Sequence, residues 1–430
     1  MRERPVQVTE GTISPFIGHN VRSDAQKADM AYVFGKYKTG KSDYVICWFY
    51  LAARYLDSHN GKAALVSTNS ISQGESVDII WSLLFKMGYH IDFGWKTFVW
   101  NNEATDQAHV HVVIIGFSKS GTGDRRLFDA EGTLALCKNV NGYLIEGPNV
   151  CATRRSIPLS NVPKIKVGSL PRSSAFTVTK EERKEFISEN PLCEKWIKPY
   201  IGAVEFLNGG ERYCLWLRDA SDAEIEQCPM VLERVERVKA DRLASPAATT
   251  RNAAKTPKRF AVDAQPDSNY LVVPQVSSQR REYLPIGFMS PDIIASNLVF
   301  IIPNATLYHF GVMSSRCHNA WMRVVCGRMN SDYRYGGDLV YNNFVWPDPT
   351  PDIISRIESC AQAVLDVRAT YPDCSLAELY DPDKMPADLR TSHLELDAAV
   401  EAAYGVDFDG DEEKIVAHLF KLYAEKTDQK

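Results

Sequence analysis

The sequence predicts an α/β fold that gives way to an irregular middle and a helical tail. Three observations carry the prediction. Strand-length apolar runs alternate with helix-spaced ones up to about residue 125, short proline-marked segments fill Leu127 to Tyr270, and helical patterns close the chain past Pro349. At 430 residues the chain exceeds one ordinary domain, since domains hold about 100–200 residues each.

Taken in order, DYVICWFYLAARYL from Asp43 is apolar on nearly every side, as a buried helix is. KAALVS from Lys62, bounded by Gly61 and Asn69, has the pattern of a buried strand. SVDIIWSLLFKMGY has helical spacing and stops near Gly88, and HVHVVIIGF from His109 is a second strand. Working residues in such sheets sit where strands end, which singles out the Ser67–Ser70 corner and an expected loop from Trp95 to Ala108. The plainer reading of Ser67-Thr68-Asn69-Ser70 is a helix cap. Further on, Lys180–Glu189 and Pro229–Leu243 are helical, and SPAATTRNAAKTPKRF after them, polar and basic, has the composition of a solvated linker. NYLVVPQVSS and EYLPIGF form an expected strand pair with Arg280 and Arg281 at its turn.

The stretch Ile302–Pro347 has the makings of a DNA-reading surface. On a helical wheel, Arg316, Asn319 and Arg323 share one stripe, with Ala320, Trp321, Val324 and Val325 mostly opposite; Arg328 falls on the packed side. Arginine offers a planar fork for phosphate or guanine, and asparagine can pair with adenine. The plain alternative is the wet face of an amphipathic helix. After it, Ser331–Tyr335 is expected to be a polar loop with Arg334 and Tyr335, Gly336-Gly337 a turn, and Asp338–Phe344, with Asn342 and Asn343, a short strand.

Composition narrows the function classes. Hydrophobic content of 45% and charged content of 24% exclude a disordered chain and a membrane protein. The net charge of −5 is unevenly spread: Arg234–Arg281 is basic and the tail after Pro349 acidic, so a polyanionic partner would meet the middle of the chain. Ten scattered cysteines without a CxxC pair fit reduced thiols, and no signal segment opens the chain, so a cytoplasmic location is expected. His309, Cys317, His318 and Cys326 lack paired metal-ligand spacing, and no metal is expected. DFDGDEEK is no calcium loop, since His418 stands where the closing Glu belongs.

Longer motifs then identify a family. VSTNSISQGE, TFVWNNEA with HVHVVIIGFS, RYCLWLRDAS, PIGFMSPDIIASN, IIPNATLYHFGVMSS, WMRVVCGR, SDYRY, YNNFVWP and ELYDPDKMPADLR resemble the C-terminal half of MmeI-like adenine-specific DNA methyltransferases, in order along nearly the whole chain. The resemblance implies a partial Rossmann-like methyltransferase sheet over 1–125, an α+β target recognition domain over 126–347 and a helical C-terminal domain over 348–430. It also implies duplex DNA as partner and S-adenosylmethionine as the family's cofactor.

The departures bear on activity. The family's glycine-containing cofactor motif has no counterpart in the chain, and its Asn-Pro-Pro-Phe segment is replaced by Ile13-Ser14-Pro15-Phe16, leaving Pro15 and Phe16 as remnants. In the family that Asn accepts from the adenine amino group and orients it, which isoleucine cannot do. Phe98 and Trp100 match the family's target-base stacking position, with core packing as their plain alternative. The resemblance therefore implies a recognition portion inactive by itself, not binding the cofactor alone. Two alternatives stay open: half of a split enzyme completed by a partner chain that carries the cofactor half, and a DNA-binding specificity module without chemistry.

Overall fold

A computed structural model describes residues 16–100, 110–120, 123–329 and 331–428. The chain forms two compact units, Met1–Arg155 with Arg323–Arg328 and Glu413–Lys430, and Ser156–Met322 with Met329–Glu412.

In the first unit the expected alternation of apolar runs produces helices α1 (Asp24–Phe34) and α2 (Ile46–Leu56), strand β1 (Lys62–Thr68), helix α3 (Gly74–Lys86), and strands β2 (His90–Trp100), β3 (Val110–Ser118), β4 (Arg125–Phe128) and β5 (Leu134–Cys137). Among the described residues the sheet order is β1-β3-β2-β4-β5. β3 is antiparallel to both β1 and β2, so those two run the same way with α3 crossing between them. The expected loop from Trp95 is instead strand as far as Trp100, because Trp95, Thr97, Phe98 and Val99 all favour extended backbone; residues 101–109 lie outside the described ones. Phe49, Trp81 and Phe117 are fully buried where α2 and α3 meet the sheet, with Phe49 and Phe117 stacked at 5.8 Å and Trp81 Nε1 donating to Ile71 O at 3.1 Å. Each such ring adds about 1.5–3 kcal/mol of burial. α2 is not buried all round as its composition suggests: Leu51 and Tyr55 are exposed.

The second unit is built mainly on two four-stranded sheets. Tyr270–Pro274 pairs antiparallel with Gly287–Met289, as the sequence predicts, and with Val299–Pro303 on its other edge. The other sheet joins Ile197–Ile201 to Tyr213–Leu215 and, in parallel, to Ile294–Ala295. Helices Pro351–Ala369 and Ala387–Tyr404 form as expected and pack on Leu307–Ser314. Gly311 permits that contact, since a Cβ there would lie 2.7 Å from Ile357 Cγ2.

Three expectations about local structure are overturned in this unit. Ser331–Tyr335 is no polar loop, since Asp332–Arg334 is a strand paired antiparallel with Val276–Ser277. Asp338–Phe344 is no strand: Gly337–Tyr341 forms one wide π-helical turn, because Leu339, Val340, Tyr341 and Phe344 all bury, a spacing that fits a coil of helix and not an alternating strand. SPAATTRNAAKTPKRF is no solvated linker either. It forms the helix Ala248–Asn252 and a following turn, wrapped on the guanidinium of Arg242, which is fully buried.

Candidate nucleic-acid interface

Each unit carries part of the residues that the sequence reading singled out. In the first, the strand-end corner is organised by a carboxylate that belongs to no motif. Asp43 Oδ1 accepts from the backbone N–H of Ile17 (3.1 Å) and Val45 (3.2 Å), and Oδ2 accepts from Thr68 Oγ1 (3.1 Å), which also lies 2.7 Å from Ser70 Oγ. Thr68 therefore serves this node and makes no helix-capping bond with its side chain. The node fixes the chain just after Phe16, which is half-buried; Pro15 lies outside the described residues.

At the far end of β2, Phe98 is half-buried and Trp100 is exposed at 44% of its surface, their rings 6.4 Å apart. Core packing thus does not account for Trp100, whose free face suits stacking on a planar group. Arg323 and Arg328 also belong to this unit, both half-buried and both with contacts inside the protein.

The glycine of the β1–α3 connection, Gly74, has φ +58° and backs onto the chain itself: a Cβ there would sit 3.1 Å from Gly327 Cα. That left-handed turn is used for a backbone-to-backbone approach, which leaves no room for a side chain.

In the second unit the expected reading face is partly turned inward. Asn319 is fully buried, with Oδ1 accepting from Leu284 N (2.7 Å) and Nδ2 donating to Ser315 O (2.8 Å). Tyr335 is buried with its hydroxyl 3.0 Å from His318 Nε2, and Asn343 Nδ2 donates to Leu339 O at 2.9 Å. Asn342 is buried as well. The expectation of base contact is corrected for these four, because all are withdrawn from solvent and Asn319, Tyr335 and Asn343 spend polar atoms on folding. An Asn319→Ala variant is expected to lose about 1–3 kcal/mol of stability, since it orphans the buried Leu284 N–H. A thermal melt unchanged by the substitution would contradict that role.

The cations divide similarly. Arg334 is exposed. Arg280 is exposed but ion-paired with Asp383, and Arg281 is half-buried, its guanidinium 3.4 Å from Ser277 Oγ. Arg316 is mostly buried, its Nη2 3.4 Å from Asp397 Oδ2 and 3.8 Å from Glu282 Oε1, and Glu282 also holds Arg390 at 2.8 Å. Part of the basic middle is thus neutralised by the acidic tail of the same chain. His318 and His309 serve folding too: burial pushes His318 down to about 3, and His309 Nδ1 accepts from Thr306 N. Among the described residues no three metal-ligating side chains converge.

Asp397 is the most perturbed acid of the cluster. It accepts from Arg316 N (2.6 Å) and Tyr283 Oη (2.7 Å), yet burial outweighs these bonds and pushes it up to about 7, with Glu401 adding to the rise. A carboxyl raised in the folded state stabilises fully below its unfolded value near 3.8, and that contribution fades as pH climbs toward 7. Wild-type Tm is therefore expected to fall between pH 4 and pH 7 relative to Asp397→Asn, which cannot ionise; parallel pH profiles would contradict the assignment.

Comparisons with known proteins give this geometry a context. Family models match in succession: the MmeI DNA-methyltransferase domain over residues 13–129, the MmeI target recognition domain over 146–348 and the MmeI C-terminal domain over 350–429. DNA methyltransferase A of Bacillus subtilis (strain 168) is 40% identical over 421 residues, covering 96% of this chain and 47% of the relative. The solved structure of the Type IIL restriction-modification enzyme MmeI in complex with DNA is 41% identical with a TM-score of 0.88, covering 96% of this chain and 56% of that one. The chain thus spans about half the length of the relatives it matches.

Proposed function

We propose, from the premise that the chain belongs to the MmeI-like DNA methyltransferases, that it is the sequence-specific DNA-recognition portion of an adenine-N6 methyltransferase of a restriction-modification system. The observation that carries the proposal is the likeness of the whole chain, at TM-score 0.88 and 41% identity, to an enzyme solved on DNA. The parts are a methyltransferase portion over 1–125, a target recognition domain over 126–347 and a helical domain over 348–430. Arg280, Arg281, Arg323, Arg328 and Arg334 are the cations offered to phosphate or base edges, and Trp100 with Phe98 is offered to an extruded base, where stacking is worth about 1–3 kcal/mol.

Methyl transfer is not a property of this chain alone in this reading. Ile13 stands where the family's Asn orients the adenine amino group. S-adenosylmethionine supplies the methyl group in the family; what these residues contribute is target binding and orientation. A second reading, a split enzyme whose cofactor half is another polypeptide, is favoured by one observation. Among the described residues β1 pairs on one edge only, and Tyr32, Leu51 and Tyr55 are exposed on the nearby helices.

Arg334 provides the direct test. Its side chain is exposed, so Arg334→Ala is expected to leave the fold intact while weakening duplex binding by about 1–3 kcal/mol, read by fluorescence anisotropy. Binding of wild type and variant with equal affinity would remove Arg334 from the interface, and no binding by the wild type would overturn the proposed function.

A further inference from the structure

The segment from Arg242 to Val262 contains five Arg and Lys residues and no acidic one. Its fold gathers those charges around one point. The buried guanidinium of Arg242 donates through Nη1 to the carbonyls of Ala253 (2.8 Å) and Thr256 (3.1 Å), and through Nη2 to those of Pro171 (2.5 Å) and Arg259 (2.8 Å). Four carbonyls from two separate chain segments are thereby held within reach of one planar group. The residues that carry or adjoin them include Arg172, Lys255 and Arg259, all three exposed. Their backbones are therefore gathered around one hub, and Arg251 lies on the same segment, with its guanidinium on the neutral carbonyls of Ser245 and Pro246.

None of these four cations is offset by a carboxylate among the described residues. Of the acids around the segment, Asp222 pairs with Lys258, Asp263 pairs with Arg218, and Asp241 accepts from Ser173 Oγ. Arg172 adds a backbone signature. Its φ of +51° is a conformation that side chains with a Cβ rarely adopt, and its Nη1 is held on Thr250 Oγ1 at 2.6 Å. Scattered surface cations ordinarily only keep a protein soluble, but here a buried hub, an acid-free segment and a strained arginine coincide.

We infer that Arg172, Arg251, Lys255 and Arg259 form a contact surface for the phosphate backbone of duplex DNA, with Arg242 as the buried positioning residue that sets their spacing. The inference rests on the proposed DNA-binding function and assigns it residues other than the arginines named above. Its contribution is independent of sequence: it adds affinity and register and leaves base choice to other residues.

The test is the salt dependence of duplex binding by the full chain, on both a selected and a scrambled 30-base-pair duplex. The double variant Lys255→Ala/Arg259→Ala removes two exposed side chains and leaves the Arg259 carbonyl on the hub. Its plot of log affinity against log salt is expected to be shallower by about 1.8, from about 0.9 per phosphate contact, on both duplexes alike. Adding Arg172→Gly, which accepts a positive φ, should bring the loss to about 2.7. An unchanged slope with wild-type binding intact would overturn this surface alone. Absence of any wild-type binding would take down the DNA-binding function and this inference with it, and a slope lost only on a duplex RNA of equal length would reassign the surface and overturn the inference for DNA.

Discussion

Replacing Arg242 with alanine is expected to lower unfolding free energy by about 3–5 kcal/mol, because each buried carbonyl left without a donor costs about 1–3 kcal/mol unless water reaches it. Among the described residues the guanidinium has no carboxylate partner; it lies 5.5 Å over the Phe176 ring, and burial lowers its pKa from the ordinary arginine value. What holds it is the set of four carbonyls, so its loss should release the segment 244–259 along with stability. Arg242→Lys, with three donors on a point charge, is expected to fall between wild type and alanine. Urea unfolding reads the first effect, and limited proteolysis in 244–259 reads the second. A stability loss below about 1 kcal/mol would mean that solvent replaces the hub at little cost.

Trp321→Ala is the second large effect, expected at about 3–5 kcal/mol from the cavity left by a fully buried indole. The ring packs 6.4 Å from Phe344, and Nε1 donates to Val340 O at 3.1 Å, so the Arg316–Val325 helix is tied to the wide turn at Gly337–Tyr341. Trp321→Phe keeps most of the volume and loses the hydrogen bond, and should cost about 1–2 kcal/mol. Were both variants as stable as wild type, that helix would have to be peripheral to the core.

These two residues also show what the sequence made legible. Trp321 sits on the apolar side of its helical wheel, and its burial follows from periodicity. Arg242 was equally within reach: Val231, Val235 and Val238 mark the buried stripe of the Pro229–Leu243 helix, and the next position on that stripe is Arg242. The arginine lay on a face where only a satisfied polar group survives.

Asn319 was misplaced for the converse reason. A polar residue on a wheel is counted as wet, whereas the wheel cannot register that Leu284, distant in sequence, brings it a backbone donor. The same holds for Asp43 and Asp397, whose partners come from 25 and 81 residues away. The alternating helices and strands were readable because they depend on neighbours in sequence. The polar nodes were not, because tertiary contacts create them.

The measurement that bears most directly on the proposed function is a calorimetric titration of the purified chain with S-adenosylmethionine, run beside selection of bound duplexes from a random library. The expected result is an enriched DNA motif with no cofactor heat. Cofactor binding in the micromolar range, or methyl groups appearing on the selected DNA, would contradict it and mean that this chain builds a working pocket after all.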